Sequence, residues 1–226
     1  MKKVLAQGFT LVELLIVIAL LGVIATIVIA AINPIEQANK ARDAGYKSDA
    51  SELVSAVQRY YASQNQFPWT TLNSTEYATA DKAFGWVNAA DISVGLCAAA
   101  GASCQTTTAS PAPLISSYEL ETSFLSKSWI GTGVGAGDML YIGKATGASS
   151  GVYVCWVPKS SANRQNLINS CSATSTSACK MMDLSAKGGF TASGTPIKSS
   201  TCTSPNDTAW SPASGLLPSC AECVPE

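Results

Sequence analysis

Eight cysteines, one carboxylate inside an apolar run and the lack of any histidine set what chemistry this chain can do. The cysteines are Cys97, Cys104, Cys155, Cys171, Cys179, Cys202, Cys220 and Cys223. Cys220-Ala-Glu-Cys223 is one C-x-x-C with no second pair to complete a zinc site, and no βαβ pattern surrounds it to suggest a redox motif. The absence of His removes the commonest general base and a common metal ligand. No nucleophile–base pair can be assembled, so no catalytic residue is assigned and an enzyme is not expected. Gly131 to Gly137 is rich in glycine but lacks the Lys and the following helix of a phosphate-binding loop. Asp138, Asp183 and Asp207 lack the spacing of a calcium loop. The expectation is structural disulfides, with no metal and no cofactor. Close spacing favours Cys97–Cys104 and Cys171–Cys179, while the remaining pairings stay open.

The carboxylate is Glu13. It interrupts an apolar run that continues to Ile32, and the stretch from Leu14 is about twenty residues, enough to cross a bilayer as a helix. Lys2 and Lys3 precede it and bias the short N-terminal side to the cytoplasm, so everything after the helix is expected to be exported. Oxidised cysteines suit that compartment. A carboxylate inside a spanning helix costs roughly 2.5–3.5 kcal/mol and calls for a partner. No Lys or Arg lies within two turns, so the partner is expected from another chain or from a new terminus. Net charge is −1, which gives no electrostatic case for binding nucleic acid.

Beyond the run, Asn33-Pro34 predicts a kink or local unwinding, because proline removes a helix donor and clashes with the preceding turn. Strong helix formers resume at Ile35. From Tyr46 an apolar stripe appears at Tyr46, Ala50, Leu53, Val54, Val57, Tyr60 and Tyr61, which is helical spacing. Lys47, Asp49, Ser51, Glu52 and Arg59 fall between those positions. The pattern predicts a helix of about 55 residues from Phe9, ending before Phe67-Pro68.

Gly8-Phe9-Thr10-Leu11-Val12-Glu13, set between a lysine leader and a spanning helix, resembles the class III leader and N-terminal segment of type IV pilins and type II secretion pseudopilins. The resemblance covers about the first quarter of the chain. It implies cleavage between Gly8 and Phe9 by a prepilin peptidase and methylation of the new Phe9 amine. It implies too that Glu13 is needed for assembly of identical or related subunits on an inner-membrane platform. An ordinary secretory signal has a shorter apolar core. A plain signal anchor leaves Gly8, Phe9 and Glu13 without a role.

The implied organisation is a leader over 1–8, a transmembrane and assembly helix over 9–33, its amphipathic half over 34–66, and an exported domain over 67–226. The fold class is α+β: a long helix packed on a small antiparallel sheet, with a disulfide-linked, loop-rich C-terminal region. Strands are predicted at 138–143 and 151–157, joined as a hairpin, with a third near 178–184. Trp69, Phe84, Trp86 and Trp129 suggest one hydrophobic patch under loops, and residues 115–125 a short helix. From Lys187 onward, Ser, Thr, Pro and Gly predict an outer-surface loop region tied down by Cys202, Cys220, Cys223 and Trp210. Two functions compete. One is a structural subunit of a type IV pilus or pseudopilus, held in membrane lipid before assembly and serving adhesion, motility, secretion or DNA uptake at filament level. The other is an anchored extracellular binding protein that never polymerises.

Overall fold

The computed structural model describes residues 8–70, 84–90, 94–97, 112–131, 133–145, 151–172, 179–185, 190–191, 194–211 and 216–225. The chain divides into two units, Met1–Ala38 and Asn39–Glu226.

In the first unit, α1 runs from Leu11 to Ala31. Its large apolar side chains are exposed all round, from Leu11 to Ile29. Ile32 leaves the helix in an extended conformation (φ −97°, ψ 120°). Asn33 then accepts a hydrogen bond from the Glu36 amide through Oδ1 at 3.2 Å. Pro34 opens α2, which spans Pro34–Gln64. Proline suits a first helical position, where its missing N–H is not needed, and the residue before it avoids helical geometry. The expected kink or local unwinding is thus a local unwinding with a new N-cap at Asn33, which divides the long helix predicted into α1 and α2.

In the second unit, α2 carries the predicted stripe, and Tyr46, Ala50, Leu53, Val54, Val57 and Tyr60 are all buried. Asn65 ends the helix in the left-handed region (φ 52°), its amide donating to Tyr61 O at 2.8 Å. Asparagine tolerates that conformation, so the stop precedes the proline.

The stripe meets a five-stranded antiparallel sheet. Its strands are β1 (Phe84–Asn88), β2 (Leu140–Lys144), β3 (Val152–Trp156), β4 (Met181–Met182) and β5 (Ala221–Val224), in the spatial order β1-β2-β3-β5-β4. The predicted hairpin is present as β2 and β3, with Leu140 opposite Trp156 and Lys144 opposite Val152. β4 falls within the third predicted strand. Alternation along β2 and β3 sends Leu140, Ile142, Val152, Val154 and Trp156 to the α2 face, where they share a core with Leu53, Val57, Trp69 and Trp129. The other face holds Trp86, Tyr141, Cys155, Leu184 and Cys223. The tryptophans expected in one patch thus lie on both faces of the sheet.

Two segments differ from expectation. Residues 115–125 form two short pieces, α3 (Pro113–Ser116) and a 3-10 turn (Thr122–Ser126). The C-terminal region is not confined to an outer surface. β5 is an interior strand between β3 and β4, and Trp210 is fully buried in a third cluster with Leu167, Cys202 and Cys220. Disulfides explain how so polar a segment is ordered. Cys155–Cys223 joins directly opposed residues of β3 and β5, and Cys202–Cys220 ties the preceding loop.

A further helix, α4 (Ser161–Ser172), has no counterpart in the sequence reading. Its start is fixed by Asp43 of α2, which is only 3% exposed. The Asp43 carboxylate accepts from the amides of Lys159 (2.8 Å) and Ser160 (2.9 Å) and from Asn163 Nδ2 (2.9 Å). Asp49, expected on the solvent side of the stripe, is likewise buried. It accepts from Lys127 Nζ at 2.7 Å and from the Trp129 indole at 3.0 Å. That hydrogen bond holds the Lys127 ammonium above its ordinary pKa.

Candidate functional site

The residues singled out at the N-terminus sit on one turn of chain. Gly8, Phe9 and Thr10 precede α1, and all are exposed. Thr10 is the N-cap: its hydroxyl accepts from the Glu13 amide at 3.3 Å. In return, Glu13 Oε2 accepts from the Thr10 amide at 2.9 Å and from the Thr10 hydroxyl at 2.8 Å. This reciprocal pair is a capping box, which satisfies two of the donors that every helix start leaves open.

Glu13 therefore has a partner within its own chain. Thr10, three residues upstream, supplies hydrogen bonds beside the charge partner expected from another chain or from a new terminus. The missed signal was in plain view: Ser or Thr followed three residues later by Glu, just before an apolar run, is a helix-start signature. Two neutral donors hydrogen-bond the carboxylate but do not neutralise its charge. Cleavage between Gly8 and Phe9 would leave both Thr10 donors in place, since the Phe9–Thr10 peptide is untouched.

Behind this turn, Leu11–Ile29 is long and apolar enough to cross a membrane. Its other polar group, the Thr26 hydroxyl, donates to Val23 O at 2.7 Å, so the helix satisfies it internally. A Cβ placed on Gly8 would meet nothing within 4 Å, so no contact among the described residues requires glycine there.

The other candidates are dispersed. Cys171 pairs with Cys179, and the two members of the C-x-x-C bond to different partners, Cys220 to Cys202 and Cys223 to Cys155. Cys97 is disulfide-bonded too, while its expected partner Cys104 lies outside the described residues. Asp138 pairs with Arg42 and Lys159, Asp183 accepts from Ser185, and Asp207 caps a short turn at Ala209. No group of three or more potential metal-binding side chains occurs among the described residues.

Residues 5–29 match the prokaryotic N-terminal methylation motif. That motif is the class III prepilin leader of type IV pilins and pseudopilins, so the chain carries a type IV pilin-like, prepilin-type N-terminus. No curated protein and no solved structure matches the chain.

Proposed function

We propose that this protein is a structural subunit of a type IV pilus or pseudopilus. A prepilin peptidase cuts it between Gly8 and Phe9, and the new Phe9 amine is methylated. α1 then holds the subunit in the cytoplasmic membrane, N-terminus inward, until an assembly platform draws it into a surface filament with other subunits. The observation that carries this reading is the methylation motif over residues 5–29, placed directly on a helix exposed all round. Gly8 supports it by its place, directly before Phe9 at the start of the apolar run.

Glu13 supplies register. The capping box leaves its charge in place, and a net charge in hydrocarbon remains costly. The amine of a neighbouring Phe9 removes that cost, and pairing fixes one axial offset between otherwise uniform apolar helices. Mass spectrometry of the membrane-extracted N-terminus tests the processing step. The expected product begins at a methylated Phe9, and a chain that still begins at Met1 overturns the reading in favour of an anchored, non-polymerising binding protein.

A further inference from the structure

A cleft of about 450 Å³ opens in the second unit between α2 and α4, a size that suits a small ligand. Its sheet side is Trp156 of β3 and Glu222 of β5, which stand opposite each other in register. α2 contributes Lys40, Asp43, Ala44 and Lys47, and α4 contributes Asn163, Asn166 and Leu167. Lys180 completes the lining, its amide donating to Ser170 Oγ at 3.1 Å. The chain itself holds these walls in place. Asp43 binds the start of α4, and Lys47 Nζ reaches Glu222 Oε1 at 3.4 Å.

Two features of the lining call for a ligand. Trp156 is 1% exposed, and its indole N–H has no hydrogen-bond partner among the described residues. A buried donor left without an acceptor is costly, and native structures rarely keep one without a reason. An acceptor atom delivered through the cleft removes that cost. The second feature is charge. Lys40, Lys47 and Lys180 share the lining with two carboxylates, and the chain already engages both: Asp43 through the amides of Lys159 and Ser160, Glu222 through Lys47. The balance is positive, and a cleft concentrates such a field.

The ligand's chemistry follows from these groups. A negative oxygen answers both the positive balance and the indole N–H. A phosphate would look for the backbone amides leading into a helix, and those before α4 are spent on Asp43. Asn163 through Oδ1 and Asn166 through its whole carboxamide suit hydroxyl groups, which both donate and accept. We infer that the cleft binds a small hydroxylated carboxylate, of the size of one uronic acid, either free or at the end of an acidic polysaccharide. The site lies wholly in the second unit, so it stands apart from processing at Gly8 and from assembly.

The test uses the detergent-solubilised full chain with isotope-labelled tryptophan, read by the indole signals in NMR spectra. Trp156→Phe identifies the signal of Trp156. Glucuronate should shift that signal saturably in the millimolar range and move the other indoles less. The methyl glycoside of glucuronate stands for a chain end. Binding of it supports the polysaccharide source, and binding of glucuronate alone supports the free acid. Glucose and inorganic phosphate should each bind at least about tenfold more weakly. Lys40→Gln and Asn166→Leu, both at exposed positions, should each weaken glucuronate binding about fivefold to tenfold and leave the melting temperature unchanged. A Trp156 signal that glucuronate leaves in place overturns the proposal, since water then serves the indole. Binding that glucose or phosphate matches, or that survives both substitutions unchanged, overturns it as well.

Discussion

The two units of this chain solve opposite problems with the same amino acids. In α1 the apolar side chains face outward on every side, and the polar groups are satisfied inside the helix: Glu13 by Thr10, Thr26 by Val23 O. In the second unit the apolar side chains face inward, and buried carboxylates organise what surrounds them: Asp43 holds the start of α4, and Asp49 holds Lys127 and Trp129. The first arrangement is the one a hydrocarbon solvent would demand, because it offers a polar group no other partner. In the second, long-range contacts decide, because a polar, loop-rich chain needs anchors that local propensity does not supply. A carboxylate thus caps its own helix in one unit and anchors distant segments of the chain in the other.

The comparison breaks first at Glu13. Glu13→Leu should leave export, cleavage and domain folding intact while surface filaments fall below detection by electron microscopy and shearing. Glu13→Gln separates two roles, since glutamine also completes a capping box but carries no charge. An intermediate yield is expected, and full recovery would mean that capping alone is what Glu13 provides.

In the second unit the largest effect should come from the bridge between β3 and β5, which closes a span of 68 residues. Replacing Cys155 and Cys223 together by alanine should cost about 4 kcal/mol on the chain-entropy account, read as a lower urea midpoint for the detergent-solubilised chain. Asp43→Ala comes next, at about 3 kcal/mol, because it strips buried donors of their acceptor. It should also raise amide exchange at the start of α4 more than elsewhere, which a general loosening would not do.

The smallest effect is alkaline. Tyr141 is buried, with its hydroxyl donating to Ala136 O at 2.8 Å. Burial pushes its phenol up to about 12 from an ordinary value of 10.0. A group whose folded pKa is raised contributes stability that is complete below the unfolded pKa and is lost as pH climbs through the folded one. Stability should therefore decline by about 2 kcal/mol between pH 10 and 12 through this residue. Urea midpoints of wild type and Tyr141→Phe across that window give the difference, and parallel curves would remove Tyr141 from the account.

What the sequence disclosed follows the same division. α1, the break at Pro34, the stripe on α2 and the β2–β3 hairpin were legible because each is dictated by composition or period over neighbouring residues. β1 and β5 were not, since Gly85 and Asn88 weaken the strand signal of Phe84–Asn88, Ala221–Val224 is only four residues long, and both are recruited by partners far along the chain. α4 was missed for a related reason: Leu167 is its one fully buried residue among those described, and its start depends on Asp43 more than a hundred positions earlier. At the candidate site, Gly8, Phe9 and Glu13 stood out by type and spacing. Thr10 did not, because the search for a partner was confined to cations when hydrogen-bond donors were close at hand.

The interior place of β5 sets a clock on folding. β3 and its Cys155 emerge before their neighbour, and the gap of 68 residues takes about 3–14 s at synthesis rates of roughly 5–20 residues per second. For that interval one edge of β3 is open to any passing strand. Cys171, Cys179, Cys202 and Cys220 all precede Cys223 in the chain, so pairing in order of synthesis would join the wrong sulfurs. The native pattern nests two bridges inside a third, and such nesting is reached either by keeping Cys155 reduced until the last strand docks or by reshuffling afterwards. Either route makes the Cys155–Cys223 bridge the last of these three native bridges to close.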